Sequence, residues 1–338
     1  RNTNLQIDGH IRGTINNLRG NDVEINLADG TSLAGNFTSR NLAVKQEEFL
    51  TLDLKNFTTR VRTLRQLIPN FNPPANFDKL GRLAFDGSFI GFFVDFVANG
   101  NLRTDLGRAS MDMQMVLTEG AQRARYSGNL NLADFDLGGW TNNPTFGLVN
   151  FNSKVEDGFG LTGDLASAKL TAAIESITIK DYTYENATIT GQLNKNFFNG
   201  DMSIKDENID FAFTGEIDFT DSIPKFDFNA ELNRLALQPL NLSTADLVLQ
   251  GDIELKLRNT QFSKMDGDVS LANIKLTKNK EEEYEIEYIR AFTFFDQNGE
   301  KVFRLDSDIA RGEIRGAYDL NELPASLQLF LLRNYPGF

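Results

Sequence analysis

The stretch from Ile209 to Leu242 restricts the fold more than any other part of the chain. Ile209, Phe211, Phe213, Ile217 and Phe219 occupy one parity of positions, and Asp210, Thr214, Glu216, Asp218 and Thr220 the other, with Gly215 between. A period of two marks a pleated strand whose successive side chains point to opposite faces. After the polar turn Asp221-Ser222-Ile223-Pro224, apolar residues resume at Phe226, Phe228, Ala230 and Leu232, against Lys225, Asp227, Asn229 and Glu231. The pattern predicts an antiparallel hairpin with one apolar face and one wetted face. Each large apolar side chain is worth roughly 1.5–3 kcal/mol once removed from water, so what covers that face decides what the chain does.

Similar runs fill most of the sequence, and many open with glycine followed by one polar and one apolar residue. Gly87-Ser88-Phe89, Gly128-Asn129-Leu130-Asn131-Leu132, Gly215-Glu216-Ile217 and Gly251-Asp252-Ile253-Glu254-Leu255-Lys256-Leu257 are examples. Glycine at a strand start lets a sheet bend and curl. The spacing is uneven, which favours an open sheet growing by hairpins over a solenoid of fixed period. Turns rich in Asn, Asp and Gly, such as Asn99-Gly100-Asn101 and Asn298-Gly299-Glu300, fit that plan. The expected fold class is all-β: a long, curled, mostly antiparallel sheet forming an open trough with an apolar interior, plus one or two short helices.

Four segments are expected. Residues 1–58 form a curled sheet segment. Residues 59–79 hold a short helix, Thr59 to Ile68, and a proline-rich connection. Residues 80–320 form the main groove, and residues 321–338 a short amphipathic capping helix flanked by proline. The apolar run from Phe85 to Val97 reads as one strand covered on both faces, or as a constriction in a lipid passage. The residues expected to line the groove are Phe211, Phe213, Ile217, Phe219, Phe226, Phe228, Leu232, Leu130, Leu132, Phe89, Phe93, Ile253, Leu255 and Leu257.

Composition excludes several functions. The chain has no cysteine and one histidine, His10, so thiolate chemistry is absent and a histidine-based metal or dyad site has no second member. A net charge of −13 opposes binding to a nucleic-acid backbone or an anionic membrane surface. The apolar run Phe89 to Ala98, interrupted by Asp95, is about half the length that spans a bilayer as a helix. The charge run Lys278-Asn279-Lys280-Glu281-Glu282-Glu283 reads as a solvated hairpin tip, and Gly158-Phe159-Gly160 precedes strand residues instead of a phosphate-binding helix. No catalytic constellation and no cofactor are expected, although bound phospholipid or detergent acyl chains are. With 28 phenylalanines against 7 tyrosines and 1 tryptophan, the apolar surface is large and carries few polar handles. The sequence opens inside an alternating pattern and reads as a piece of something longer. From periodicity two readings stay open: two sheets covering each other as a closed sandwich, or a trough left for a ligand.

Gly128-Asn-Leu-Asn-Leu-Ala-Asp-Phe-Asp-Leu-Gly-Gly, Asp181-Tyr-Thr-Tyr-Glu-Asn-Ala-Thr-Ile-Thr-Gly-Gln-Leu, Phe198-Asn-Gly-Asp-Met-Ser-Ile and Ala230-Glu-Leu-Asn-Arg-Leu-Ala-Leu-Gln-Pro-Leu-Asn-Leu, in that order, resemble the TamB and AsmA-like family of translocation and assembly module proteins. The resemblance extends over roughly residues 80–255. It implies a long periplasmic protein, anchored in the inner membrane by a segment outside this sequence, whose sheet curls into an apolar trough. It further implies phospholipid carriage toward the outer membrane, in company with an outer-membrane barrel of the Omp85 class, and supplies no catalytic residue. The resemblance favours the trough. The alternative is a non-enzymatic scaffold or chaperone-like module that offers sheet edges to outer-membrane strands.

Overall fold

The computed structural model describes residues 5–44, 47–67, 73–117, 119–161, 166–259, 266–316 and residue 333. The fold is all-β and antiparallel, as the alternation predicts, and divides into two compact units, Arg1–Lys195 and Asn196–Phe338.

In the first unit eleven strands follow one another: β1 Leu5–Thr14, β2 Asn17–Leu27, β3 Ser32–Arg40, β4 Phe49–Arg60, β5 Arg82–Phe92, β6 Asp95–Thr104, β7 Gly107–Val116, β8 Arg125–Asp136, β9 Phe146–Phe159, β10 Ser167–Ile179 and β11 Tyr182–Asn194. Helix α1, Val61–Leu67, and a 3-10 turn, Ala75–Leu80, lie between β4 and β5; helix α2, Leu137–Thr141, lies between β8 and β9. The second unit holds β12 Phe197–Lys205, β13 Ile209–Asp218, β14 Lys225–Ala236, β15 Leu247–Asn259, β16 Asp266–Lys278, β17 Glu282–Phe295, β18 Lys301–Ser307 and β19 Arg311–Arg315. Within each unit every strand pairs antiparallel with the next in sequence. Among the described residues no ladder joins the first strand of a unit to its last, so each sheet stays open. Consecutive hairpins are the simplest route to such a meander, since each needs only a short turn.

Two local expectations are changed by the structure. Phe85 to Val97 is a hairpin in place of a single strand: Phe93 and Val94 form the turn between β5 and β6, and Ile90 and Val97, paired with each other, stay 48% and 43% exposed on the outer face. The chain reverses at Phe93 and Val94, which parity counting passed over. The short helix begins at Val61, because Thr59 and Arg60 still pair with Leu83 and Arg82 in the β4–β5 ladder. The capping helix expected at 321–338 lies outside the described residues except for Arg333, as do residues 68–72 of the proline-rich connection.

Glycine acts where strands bend. Gly87 and Gly100 face each other on β5 and β6, with φ of 149° and 158°, and a Cβ on Gly100 would stand 2.8 Å from both the Gly87 Cα and the Phe85 ring. The missing side chains let two backbones approach and a phenyl ring lie over the gap, the arrangement by which aromatic neighbours compensate a strand glycine.

An apolar face open along the strands and covered at one rim

Register converts the alternation of single strands into rows running across each sheet. In the second unit one row passes through Met202, Phe213, Ala230, Ile253, Leu271 and Ile289. The next passes through Gly215, Phe228, Leu255, Val269, Ala291 and Leu305, and a third through Phe198, Ile217, Phe226 and Leu257. Phe211 and Leu232 pair in the row above. Phenyl rings touch in sequence across this face, with centroids 6.2 Å apart for Phe198 and Phe213, 4.8 Å for Phe213 and Phe228, 6.1 Å for Phe226 and Phe228, and 6.2 Å for Phe219 and Phe226. Among the described residues, no side chain that register places on this face between the strand ends is charged.

The sequence-derived lining residues therefore share one face, with distinct environments. Phe213 is 4% exposed and Ala230 5%, so they are sealed by their neighbours. Phe211, Ile217, Phe226, Phe228, Leu232, Ile253, Leu255 and Leu257 are half-buried. Phe219 lies just beyond the end of β13, 53% exposed. A sheet pressed against a second sheet would bury such a row almost fully; here most of it keeps contact with solvent.

The first unit repeats the arrangement. A row through Leu54, Gly87, Gly100, Met111, Leu130, Ser153, Ala172 and Ile189 runs beside one through Phe57, Phe85, Leu102, Ala109, Leu132, Phe151, Ile174 and Ala187. Leu130, Leu132 and Phe89 are half-buried on this face, and Phe89 stacks on Phe96 at 4.8 Å. Phe93 belongs to the turn and not to a row. Met111, Met113 and Met115 on β7 add side chains flexible enough to adapt to an irregular occupant.

Helices cover one rim of this face. Val61, Leu80, Leu83, Phe135 and Val149 form a buried cluster, joined by Leu64, Phe77, Leu106, Leu137 and Trp140. Lys79 Nζ donates to the carbonyls of Gly139 at 3.1 Å and Trp140 at 2.8 Å, tying the 3-10 turn to α2. Arg65 grips Asp78 through both carboxylate oxygens at 2.7 and 2.8 Å, and Phe77 meets Trp140 edge-on at 5.2 Å. Thr63 donates to Asp29 at 2.7 Å, and that hydroxyl, with the Thr31 amide, holds the Asp29 carboxyl below its ordinary range. Asp136 caps α2 by accepting from the Gly139 amide at 2.8 Å.

Sequence reading missed α2 and its counterpart in the second unit. Both strands that lead there carry a register shift, between Leu132 and Phe135 and between Leu232 and Leu235. Both then continue alike, with Leu137 and Trp140 in one and Leu237 and Leu240 in the other, and Leu240 has no exposed surface. The shared spacing of Leu132, Phe135, Leu137 and Trp140 with Leu232, Leu235, Leu237 and Leu240 was the available signal. Its period is neither that of a strand nor that of a helix, because a bulge interrupts it.

Two concavities lie on the opposite, polar faces. One of about 420 Å³ is lined by Thr214, Asn229, Glu231, Asp252, Glu254 and Ser270 among others, and one of about 660 Å³ by Asn99, Asn101, Asp112, Asn129, Asn131, Asn152 and Lys154 among others. A twisted sheet is saddle-shaped, so each face is hollow along one diagonal. The carboxylates in the first hollow make it unfit for acyl chains. Exposed ion pairs such as Lys55 with Asp22 and Lys169 with Asp157 lower their carboxyl pKa values through the lysine hydrogen bond first, and at such exposure contribute little to stability.

No family model, curated protein or solved structure matches this chain. The geometry of the face is therefore the ground for a functional reading.

Proposed function

We propose that this chain is part of a bridge-like, non-enzymatic lipid carrier, in which phospholipid travels with its acyl chains against the apolar face and its headgroup in water. The observation that carries the reading is the set of uncharged apolar rows running from β12 to β18 of the second unit, most of their residues half-buried and without a covering layer among the described residues. Hydrophobic and dispersion contacts are non-directional, so a lipid displaced by one strand spacing loses little, and movement needs no chemistry. The resemblance adds the setting: the periplasm, with an inner-membrane anchor and an outer-membrane barrel as partner elsewhere in the full protein. The test is native mass spectrometry of the purified chain, with one or more bound phospholipids as the expected result. A chain that stays free of lipid after incubation with phospholipid micelles would overturn the reading.

One observation favours a second reading, the interaction scaffold. β1 is exposed at every residue and, among the described residues, pairs with β2 on one side, so the other side of its backbone is an edge there. Such an edge can accept an added strand. A synthetic alternating peptide that binds this chain and is blocked by proline at Ile7, without any lipid uptake, would favour the scaffold.

A further inference from the structure

Arg60, the last residue of β4, and Arg82, the first of β5, are direct register partners. Thr59 and Leu83 beside them are buried toward the helix-covered cluster, so the alternation turns both guanidinium groups to the wetted side of the rim, where both are exposed. Arg62, one residue beyond the buried Val61, is exposed as well. None of the three side chains makes an ion pair or hydrogen bond with another described residue. Asp105 shares the rim, its carboxylate accepting the Arg82 backbone amide at 3.2 Å.

Like charges directly opposed on a ladder repel, since their Cβ atoms stand ~5 Å apart. In a chain with 47 acidic and 34 basic residues, opposite partners are easily supplied. Elsewhere they are: Lys256 stands between Asp227 and Asp268, and Arg304 faces Glu313. Two other arginine pairs oppose each other: Arg103 and Arg108 on β6 and β7, which find Asp86 and Asp134, and Arg12 and Arg19 on β1 and β2, near the turn at the far end of β2 from Asp29. What distinguishes Arg60 and Arg82 is their place at the strand ends that border the helix-covered rim, each next in sequence to a residue of the buried cluster, Val61 and Leu83.

We propose that Arg60, Arg82 and Arg62 recognise the phosphate of a lipid headgroup whose acyl chains enter the apolar face beside the α1 cover; this rests on the lipid-carrier reading above. Two arginine forks can each direct a pair of N–H donors at the non-bridging oxygens of a phosphodiester, and the anion cancels the repulsion between them. The carrier then selects anionic amphiphiles at one rim, although its net charge repels anionic surfaces at long range.

The test uses the intact chain and three probes: dihexanoyl phosphatidylglycerol, dihexanoylglycerol with the same tails and no phosphate, and inorganic phosphate. The wild type is expected to bind the first at least about tenfold more tightly than either other probe. Arg60→Gln with Arg82→Gln should lose that preference and bind dihexanoylglycerol as before, with an unchanged or higher Tm because the repulsion is gone. Arg60→Glu, which gives Arg82 an ion-pair partner and keeps the ladder, should show the same loss. Arg12→Gln with Arg19→Gln should bind as the wild type. Wild-type affinity for phosphatidylglycerol in the Arg60/Arg82 variant, or an equal loss in the Arg12/Arg19 variant, would overturn the site. Inorganic phosphate binding as tightly as the lipid would overturn the headgroup in favour of a free anion. If the wild type bound neither lipid, the carrier reading itself would fall.

Discussion

Phe213 and Phe228 meet at 4.8 Å on adjacent strands, their rings tilted by 50°, yet they serve different ends. Phe213, 4% exposed, is a packing residue, and a charge placed there would be buried without a partner. Phe213→Ala should cost about 3–5 kcal/mol in urea denaturation. Phe228 is half-buried on the open face, so Phe228→Asp can reach water and should leave the sheet folded while abolishing crosslinking to a photoreactive phospholipid. Asp218 stands on the wetted side, its carboxyl held low by the Thr220 hydroxyl and amide, and Asp218→Asn should leave crosslinking unchanged. The reverse result would mean that lipid uses the polar face. Gly215 has φ of 145° and a Cβ there would stand 2.6 Å from Phe228 Cβ, so Gly215→Ala should cost about 1–3 kcal/mol although it adds a single methyl group.

Among the elements, the helical cover is tied to the sheet through the apolar cluster of Val61, Leu80, Leu83, Phe135 and Val149 and through a few polar contacts. Lys79 holds it to α2 through two carbonyls, and Asp29 holds α1 through Thr63. Lys79→Met should raise amide exchange over Val61–Leu67 and Ala75–Leu80 while β5 to β10 stay protected, because local opening draws on local contacts. Acid should have a related effect. The folded Asp29 carboxyl is depressed, so its contribution is present above the ordinary carboxylate range of about 4 and is lost as pH falls through the lower folded value. Exchange of the α1 amides, corrected for intrinsic rate, is expected to be level above about pH 5 and to rise below about pH 4; Thr63→Val, which removes the hydroxyl, should show the raised rate at every pH. A pH-independent wild-type profile would show that Asp29 does not anchor the helix.

At the scale of the molecule, the chain divides into two compact units, so it should unfold in two transitions in calorimetry. Leu240, with no exposed surface, belongs to the second unit; Leu240→Ala should lower one transition, by about 2–5 kcal/mol, and leave the other in place. A single transition shifted as a whole would mean that the units fold as one.

Residue alternation by itself determined that the chain is a succession of antiparallel strands and which parity of each strand is apolar, as at Phe211, Phe228 and Leu255. That information is local, because the pleat alone sends neighbouring side chains to opposite faces. Only the tertiary structure decided which of those residues are sealed and which stay open, that a break at Phe93 and Val94 makes a hairpin of one apolar run, and that Arg60 meets Arg82. Those outcomes depend on register between strands and on helices returning over the rim, which bulges at Leu132 and Leu232 shift by single residues. A period of two cannot record a shift of one, since the shift exchanges the faces that the period defines.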